Sequence, residues 1–289
     1  MSPEVVVSGL YSGAIYALVA LGLTIVFQPT RIMNFAQGEA MVLGAATSYV
    51  VVTLLGWGWP AAIAIGIVAA VIMGLLMERM IILPVRLSGS RFAWIIATLA
   101  AALIFQSLFT LRFFDVDALR PSPMINGSIS LGSLTVEWQQ LLAIVIVLVT
   151  VAGYARFLKR SMYGRAIRAA AQNPDAAVLM GIPVQRIIVL SFVIGTVITA
   201  LAGILASPVI FIAPAAGLLF TIKGFIAAVI GGVGSPGGAL AGGLIVGLLD
   251  NVVRAAVGGS AGNFAVFIVL AVILVFFPAG LFGKPMEAH

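Results

Sequence analysis

The stretch 31–40, RIMNFAQGEA, places an Arg, an Asn, a Gln and a Glu between two long apolar segments. Two amides and a carboxylate at this spacing can gate or bind a polar solute, or they can start a helix. A Glu entering a membrane segment is costly unless it is paired, solvated or interfacial. One reading is therefore a broken-helix entry in which Asn34, Gln37 and Glu39 line a translocation path or gate, with Gly38 breaking the helix or letting backbone approach. The compatible alternative is a capped start, with Asn34 as N-cap and Glu39 paired with Arg31. Lys223 is the other charge inside an apolar segment. It can neutralise a solute carboxylate or hold carbonyls in place, but snorkelling to the outer interface is the preferred expectation. Asp250 and Asn251 read as a polar helix end, and Trp57, Trp59 and Trp138 as interfacial anchors.

Other chemistry is poorly provided for. The 289 residues hold no Cys and one His, so disulfides, thiol catalysis and Cys-bound metals are excluded, and His289 alone makes no metal or proton-relay cluster. H-E-x-x-H is absent, and neither SPGG nor LSGS pairs a serine with a base, so no catalytic residue is assigned. With 62% hydrophobic and 8% charged residues and a mean hydropathy of +1.23, the chain cannot coat a soluble globule. It is an integral membrane protein. Its apolar runs are continuous and do not alternate, which selects helices over a barrel. The net charge of +6 reflects topology, and nucleic acid is not an expected partner.

The fold class is thus all-α, a polytopic transmembrane bundle forming a single domain over 1–289, with no clear repeat or linker. Spans are expected near 5–27, 38–56, 60–82, 92–111, 139–158, 187–207, 217–233, 238–257 and 262–280. The N-terminal segment lacks the basic n-region of a cleaved signal and reads as the first span. The seventh is short, glycine-rich and interrupted by Lys223, which leaves eight or nine. Between 156 and 186 six basic residues stand against one acidic residue, a net +5, which places that loop in the cytoplasm. The 112–138 loop has two basic and three acidic residues, a net −1, and falls outside. Nine spans then put the N-terminus outside and Lys284 inside. Gly234, Gly238 and Gly242, and likewise Gly243 and Gly247, recur every four residues and predict tight helix packing.

The cytoplasmic loop, about 159–186, carries the clearest local signals. Helix is plausible over 165–180, but Pro174 breaks a hydrogen bond in mid-helix, so Asn173 or Pro174 must open a new one. Asp175 then lies near its positive end, Gly181 closes it and Pro183 prevents continuation. A short capped helix flanked by arginines such as Arg168 suits docking into a groove on a soluble partner; the plainer alternative is a basic loop held to lipid headgroups.

In DAAVLMG, Asp175, Ala176, Ala177 and Gly181 resemble the EAA-x-x-x-G loop of ABC importer permeases, with Asp in place of Glu. Together with GRAIRAAAQNPDAAVLMGI, NFAQGE and GGVGSPGGALAGG, in that family's order and spacing, the chain resembles branched-chain amino acid permeases of the LivH type. The family pattern often has His where Gln37 stands, a departure that bears on the solute. The resemblance implies a heteromeric importer in the inner or plasma membrane of a bacterium. Two homologous permeases form the path, two cytoplasmic ATPases drive it, and an extracytoplasmic binding protein delivers the solute. ATP and Mg would belong to the ATPases, and no G-x-x-x-x-G-K-[ST] loop occurs in this chain. The helix opened by Pro174 would be the coupling helix, tilting spans 139–158 and 187–207 when the ATPases close. Relatives of this type also move urea, short amides and aromatic or other carboxylates. An ion-coupled secondary transporter is the alternative from another class, but titratable groups are scarce in the spans.

Overall fold

A computed structural model describes residues 3–90, 92–113, 116–131, 134–258 and 268. Apart from Ile268, the ninth expected span, 262–280, and Lys284 lie outside the described residues.

The chain folds as a helix bundle around its first helix, α1 (Pro3–Thr30). After the turn at Arg31 come α2 (Gln37–Ser48), prolonged by a π-helical turn at Tyr49–Leu54, and α3 (Trp59–Leu76), prolonged through a π turn at Met77–Ile82 into α4 (Leu83–Leu87). An apolar α5 (Ala93–Arg112) leads to strands β1 (Ser128–Leu131) and β2 (Leu134–Glu137), and then to α6 (Trp138–Arg160). Two short helices, α7 (Met162–Gln172) and α8 (Pro174–Leu179), precede α9 (Val184–Ala206), α10 (Gly217–Gly231) and α11 (Pro236–Val257). Proline opens several of these: Pro60, Pro174 and Pro236 occupy first-turn positions, where the missing N–H has no intrahelical partner to lose.

Among the described residues six helices are long and apolar enough to cross a membrane: Pro3–Thr30, Trp59–Leu87, Ala93–Arg112, Trp138–Arg160, Val184–Ala206 and Pro236–Val257. The expected spans 38–56 and 217–233 correspond to α2 with its π turn and to α10. At 15 residues α10 is about 22 Å long, short of a hydrocarbon core of about 30 Å. The chain turns back after α1, and α2 and α10 both begin at buried residues, Gln37 and Gly217, inside the bundle. The 112–138 segment holds a hairpin that the sequence reading passed over: Ile129 pairs with Val136 and Ser130 with Thr135, antiparallel.

The core is sorted by glycine. α1 is buried along nearly all its length and touches α6, α9, α10 and α11. A methyl group on Gly247 would strike the backbone of Gly13 and Gly9, and one on Gly243 would strike Ala17. Gly242 and Gly238 instead face α10, against Ala227 and Gly231. The four-residue glycine spacing is thus two adjacent stripes, each admitting a different neighbour. Gly234 was expected in the first stripe, but it packs against nothing within 4 Å; its φ of 104° makes it a turn residue before α11. The large apolar side chains left exposed on α3, α5 and α6, including Val68, Ile96, Leu103 and Val149, form the surface for lipid.

Candidate functional site

The motif at 31–40 folds into a junction where the starts of α2 and α10 meet. Asn34 accepts the Ala36 N–H at 3.1 Å and donates to the Gln37 side-chain oxygen at 3.1 Å. Gln37 donates in turn to the Thr199 hydroxyl on α9 at 2.8 Å. The Gly38 N–H donates to Thr221 Oγ1 of α10 at 2.7 Å, and that hydroxyl lies 3.0 Å from the Phe35 carbonyl oxygen and 3.2 Å from that of Gly217. Asn34, Gln37 and Glu39 are all buried. The capped-start expectation needs correction twice. Asn34 makes a turn two residues before the helix, whose N-cap position is Ala36 and has no side-chain cap. Glu39 does not pair with Arg31: it is 0% exposed, and neither carboxylate oxygen has a hydrogen-bond partner among the described residues. That carboxylate rests against Gly217, where even a methyl group would collide with it. The first N–H groups of α2 are already taken, that of Gln37 by the Asn34 carbonyl, that of Gly38 by Thr221 and that of Glu39 by the Ala36 carbonyl, so they offer the carboxylate no hydrogen bond.

Removing the junction's shared hydroxyl tests how tightly it is held. Thr221→Val keeps the shape but leaves the Gly38 N–H buried without a partner, a penalty of about 1–3 kcal/mol. The expected outcome is a lower melting temperature in detergent and faster amide exchange at 35–39; unchanged exchange there would show that α2 is held by packing alone.

Arg31 does something else. It ends α1 with a left-handed φ of 56°, its N–H bonding the Phe27 carbonyl at 2.8 Å, and its guanidinium reaches across to the Ala171 carbonyl of α7 at 2.7 Å. The turn that leads into the junction is therefore tied to α7.

Lys223 overturns the snorkelling expectation. It is 8% exposed and donates to Asp250 Oδ2 at 2.7 Å and to the Tyr16 hydroxyl at 3.1 Å. Tyr16 donates to the same carboxylate oxygen at 3.0 Å, while Arg254 Nε reaches Oδ1 at 2.8 Å. Asp250 is thus not a polar helix end but the hub that joins α1, α10 and α11. The physical reason is distance: Lys223 lies one turn below Leu219 on a helix that begins inside the bundle, so a carboxylate is nearer than water. These residues border a cavity of about 540 Å³, whose other walls include Phe220, Leu219 and Ile210. Neither Asp250 nor Arg254 was expected there; the signal available in sequence was the i, i+4 spacing of an Asp and an Arg on an apolar helix.

The third region is α7–α8. Ser161 caps α7 by accepting the Gly164 N–H at 2.8 Å, and Asn173 caps α8 by accepting the Ala176 N–H at 2.9 Å. Gly181 follows α8 with a φ of 78°, as the sequence required. Only Ala177 of α8 is buried, and Arg168, Pro174, Asp175 and Ala176 are exposed. Its last residues are apolar yet open: Val178, Leu179, which is 88% exposed, and Met180 after it. Trp57 and Trp138 are half-exposed at the ends of spans, consistent with anchors, whereas Trp59 is partly buried with its indole N–H unpartnered.

Comparison with known proteins places this arrangement. The family model described as branched-chain amino acid transport system / permease component matches residues 5–277. The chain is 32% identical to the high-affinity branched-chain amino acid transport system permease protein BraD of Pseudomonas aeruginosa, over 96% of this chain and 95% of that one. It is 32% identical to the LivH permease protein of Escherichia coli K12, over 96% and 94% of the two chains, and 25% identical to a probable LivH of Methanocaldococcus jannaschii, over 92% and 88%. A full-length family match and two near-complete alignments agree with a multi-pass helix bundle, and the chain belongs to the branched-chain amino acid transport permease family.

Proposed function

We propose that this chain is the membrane-spanning subunit of an ATP-driven importer of branched-chain amino acids in a bacterial cytoplasmic membrane. It pairs with a homologous second permease, receives solute from an extracytoplasmic binding protein and is driven by two cytoplasmic ATPase subunits that carry the ATP and Mg. The observation that carries the reading is the exposed apolar end of α8. Leu179 and Met180 are apolar and exposed at the end of a helix that Asn173 caps and Gly181 closes. Burying two such side chains in a partner's cleft contributes about 1.5–3 kcal/mol each.

The route from α8 to the junction is short. α8 packs on α7 and α9, and α7 holds Arg31 just before Asn34. Movement of α8 would therefore reach the turn that positions Asn34, Gln37 and Glu39, which we assign as the gate in its closed form. Lys223 lies on the path side of that gate, beside the cavity. Gly238, Gly242 and Gly247 supply the close helix contacts that let the bundle move as a unit.

The test is co-purification of the tagged chain from its native membrane. ATPase subunits and a second permease should be recovered in stoichiometric amount, and Leu179→Asp with Met180→Asp should reduce ATPase recovery at least tenfold while leaving the second permease bound. Equal recovery with the doubly substituted chain would remove α8 from the coupling interface.

A further inference from the structure

α6 and α9 touch one another only slightly, and α7 packs on both where α6 ends and α9 begins. The gap leaves a groove of about 620 Å³, lined by Phe157 of α6, Tyr163 of α7 and a stripe of α9. In that stripe Arg186, Leu190 and Ile194 recur every four residues and so share one face of the helix. Arg186 stands in the first turn of a helix long enough to span, which puts its guanidinium at headgroup level. Ile194 lies about 12 Å further along the axis, well into a hydrocarbon core of about 30 Å. Leu190 and Ile194 are only partly buried, so the apolar floor of the groove is accessible. The groove is thus basic at its mouth and apolar below.

The mouth is also short of acids. Arg156, Lys159 and Arg160 at the end of α6 and Arg186 on α9 are all exposed, and none of the four makes an ion pair among the described residues. Gln185, next to Arg186, is engaged elsewhere, with Arg86 and Glu78. The Arg186 side chain has no hydrogen-bond partner among the described residues, although a guanidinium offers five N–H donors in a fork that fits a phosphate.

Two other kinds of occupant fit less well. A soluble subunit can cover exposed helix ends, but it does not reach a face that runs 12 Å into a span. A second membrane subunit packs best on small residues that let backbones approach, and this face is built of Phe157, Leu190 and Ile194. What matches cations at the interface and large apolar side chains beneath them is an amphiphile with a negative head.

We propose that this groove is a binding site for one anionic phospholipid, whose phosphate is taken by Arg186 beside Tyr163 and whose upper acyl chain lies against Phe157, Leu190 and Ile194. A choline headgroup is disfavoured there, because it would set its own positive charge among the four unpaired cations. The lipid fills the gap between two spans that touch only slightly, and so acts as a wedge between α6 and α9.

The test uses the full chain with the subunits that purify with it, delipidated in detergent and titrated with phosphatidylglycerol or phosphatidylcholine of identical acyl chains. Native mass spectrometry counts the lipid retained. Wild type should keep one phosphatidylglycerol with at least fivefold preference over phosphatidylcholine, and excess inorganic phosphate should not displace it. Arg186→Gln, at an exposed position that cannot threaten folding, should cut that preference at least threefold, whereas Arg186→Lys should keep it. Arg79→Gln, which removes a positive charge outside the groove, should change nothing. Leu190→Trp fills the apolar part and should lower phosphatidylglycerol retention at least fivefold with the same subunits still bound. Undiminished retention and preference in Arg186→Gln would overturn the proposal, as would full retention in Leu190→Trp. Displacement by inorganic phosphate would make the groove a free-anion site, and loss of a subunit from Leu190→Trp would make it a protein interface; either result also overturns it.

Discussion

Asp250→Ala is expected to be the most damaging single substitution in the ion cluster, more so than any change at Lys223. It removes the carboxylate that both cations hold and leaves Lys223 buried with a phenol as its remaining partner among the described residues. Breaking a buried pair from one side costs about 3–5 kcal/mol, because the remaining charge has neither water nor counter-ion. Lys223→Met should cost less, since Asp250 keeps Arg254 and Tyr16. A double change, Lys223→Met with Asp250→Leu, should recover part of the loss, because both buried charges then go together. Thermal unfolding in detergent, followed by size-exclusion chromatography, orders the three variants; Asp250→Ala more stable than Lys223→Met would refute the assignment of Asp250 as hub.

Gly247→Leu is the second change with a large expected effect. Its side chain would be driven into the backbone of Gly13 and Gly9, and backbone cannot rotate aside as a side chain does. Overpacking that side chains can absorb costs about 1–3 kcal/mol. Here α1 and α11 would have to separate along the most extensive helix contact among the described residues, so failure to yield folded protein is expected. Gly153→Leu is the matched control. A side chain at Gly153, on α6, meets nothing within 4 Å, and the substitution should be silent. Normal yield and melting temperature for Gly247→Leu would show that the α1–α11 contact is looser than its glycines imply.

These two positions also mark how far the sequence could be read. The glycine spacing at 238–247 announced close helix contact, because a missing side chain in lipid has little other use. It could not announce that one stripe faces α10 and the next α1, since that depends on which helices are neighbours. α8 was legible almost residue by residue: Asn173, Pro174 and Gly181 act through their own backbone and need no tertiary information. Lys223 was misread for the opposite reason. Its partner Asp250 stands on the following helix, and no local rule joins a lysine to a carboxylate 27 positions on. The same holds for Glu39, whose expected partner Arg31 was close in sequence but is drawn away to Ala171, while the carboxylate is enclosed by Gly217 from a distant helix. The hairpin escaped because eight paired residues of mixed character, SISL and LTVE, are too few to stand out beside spans of twenty.

The importer reading itself stands or falls on one experiment. Proteoliposomes holding this chain with its second permease and ATPase subunits should accumulate radiolabelled leucine from a loaded binding protein when ATP is enclosed. Uptake should cease with a non-hydrolysable nucleotide and persist when proton and sodium gradients are collapsed. Leucine uptake by this chain without ATP, driven by an imposed ion gradient, would contradict the account and make it a secondary transporter.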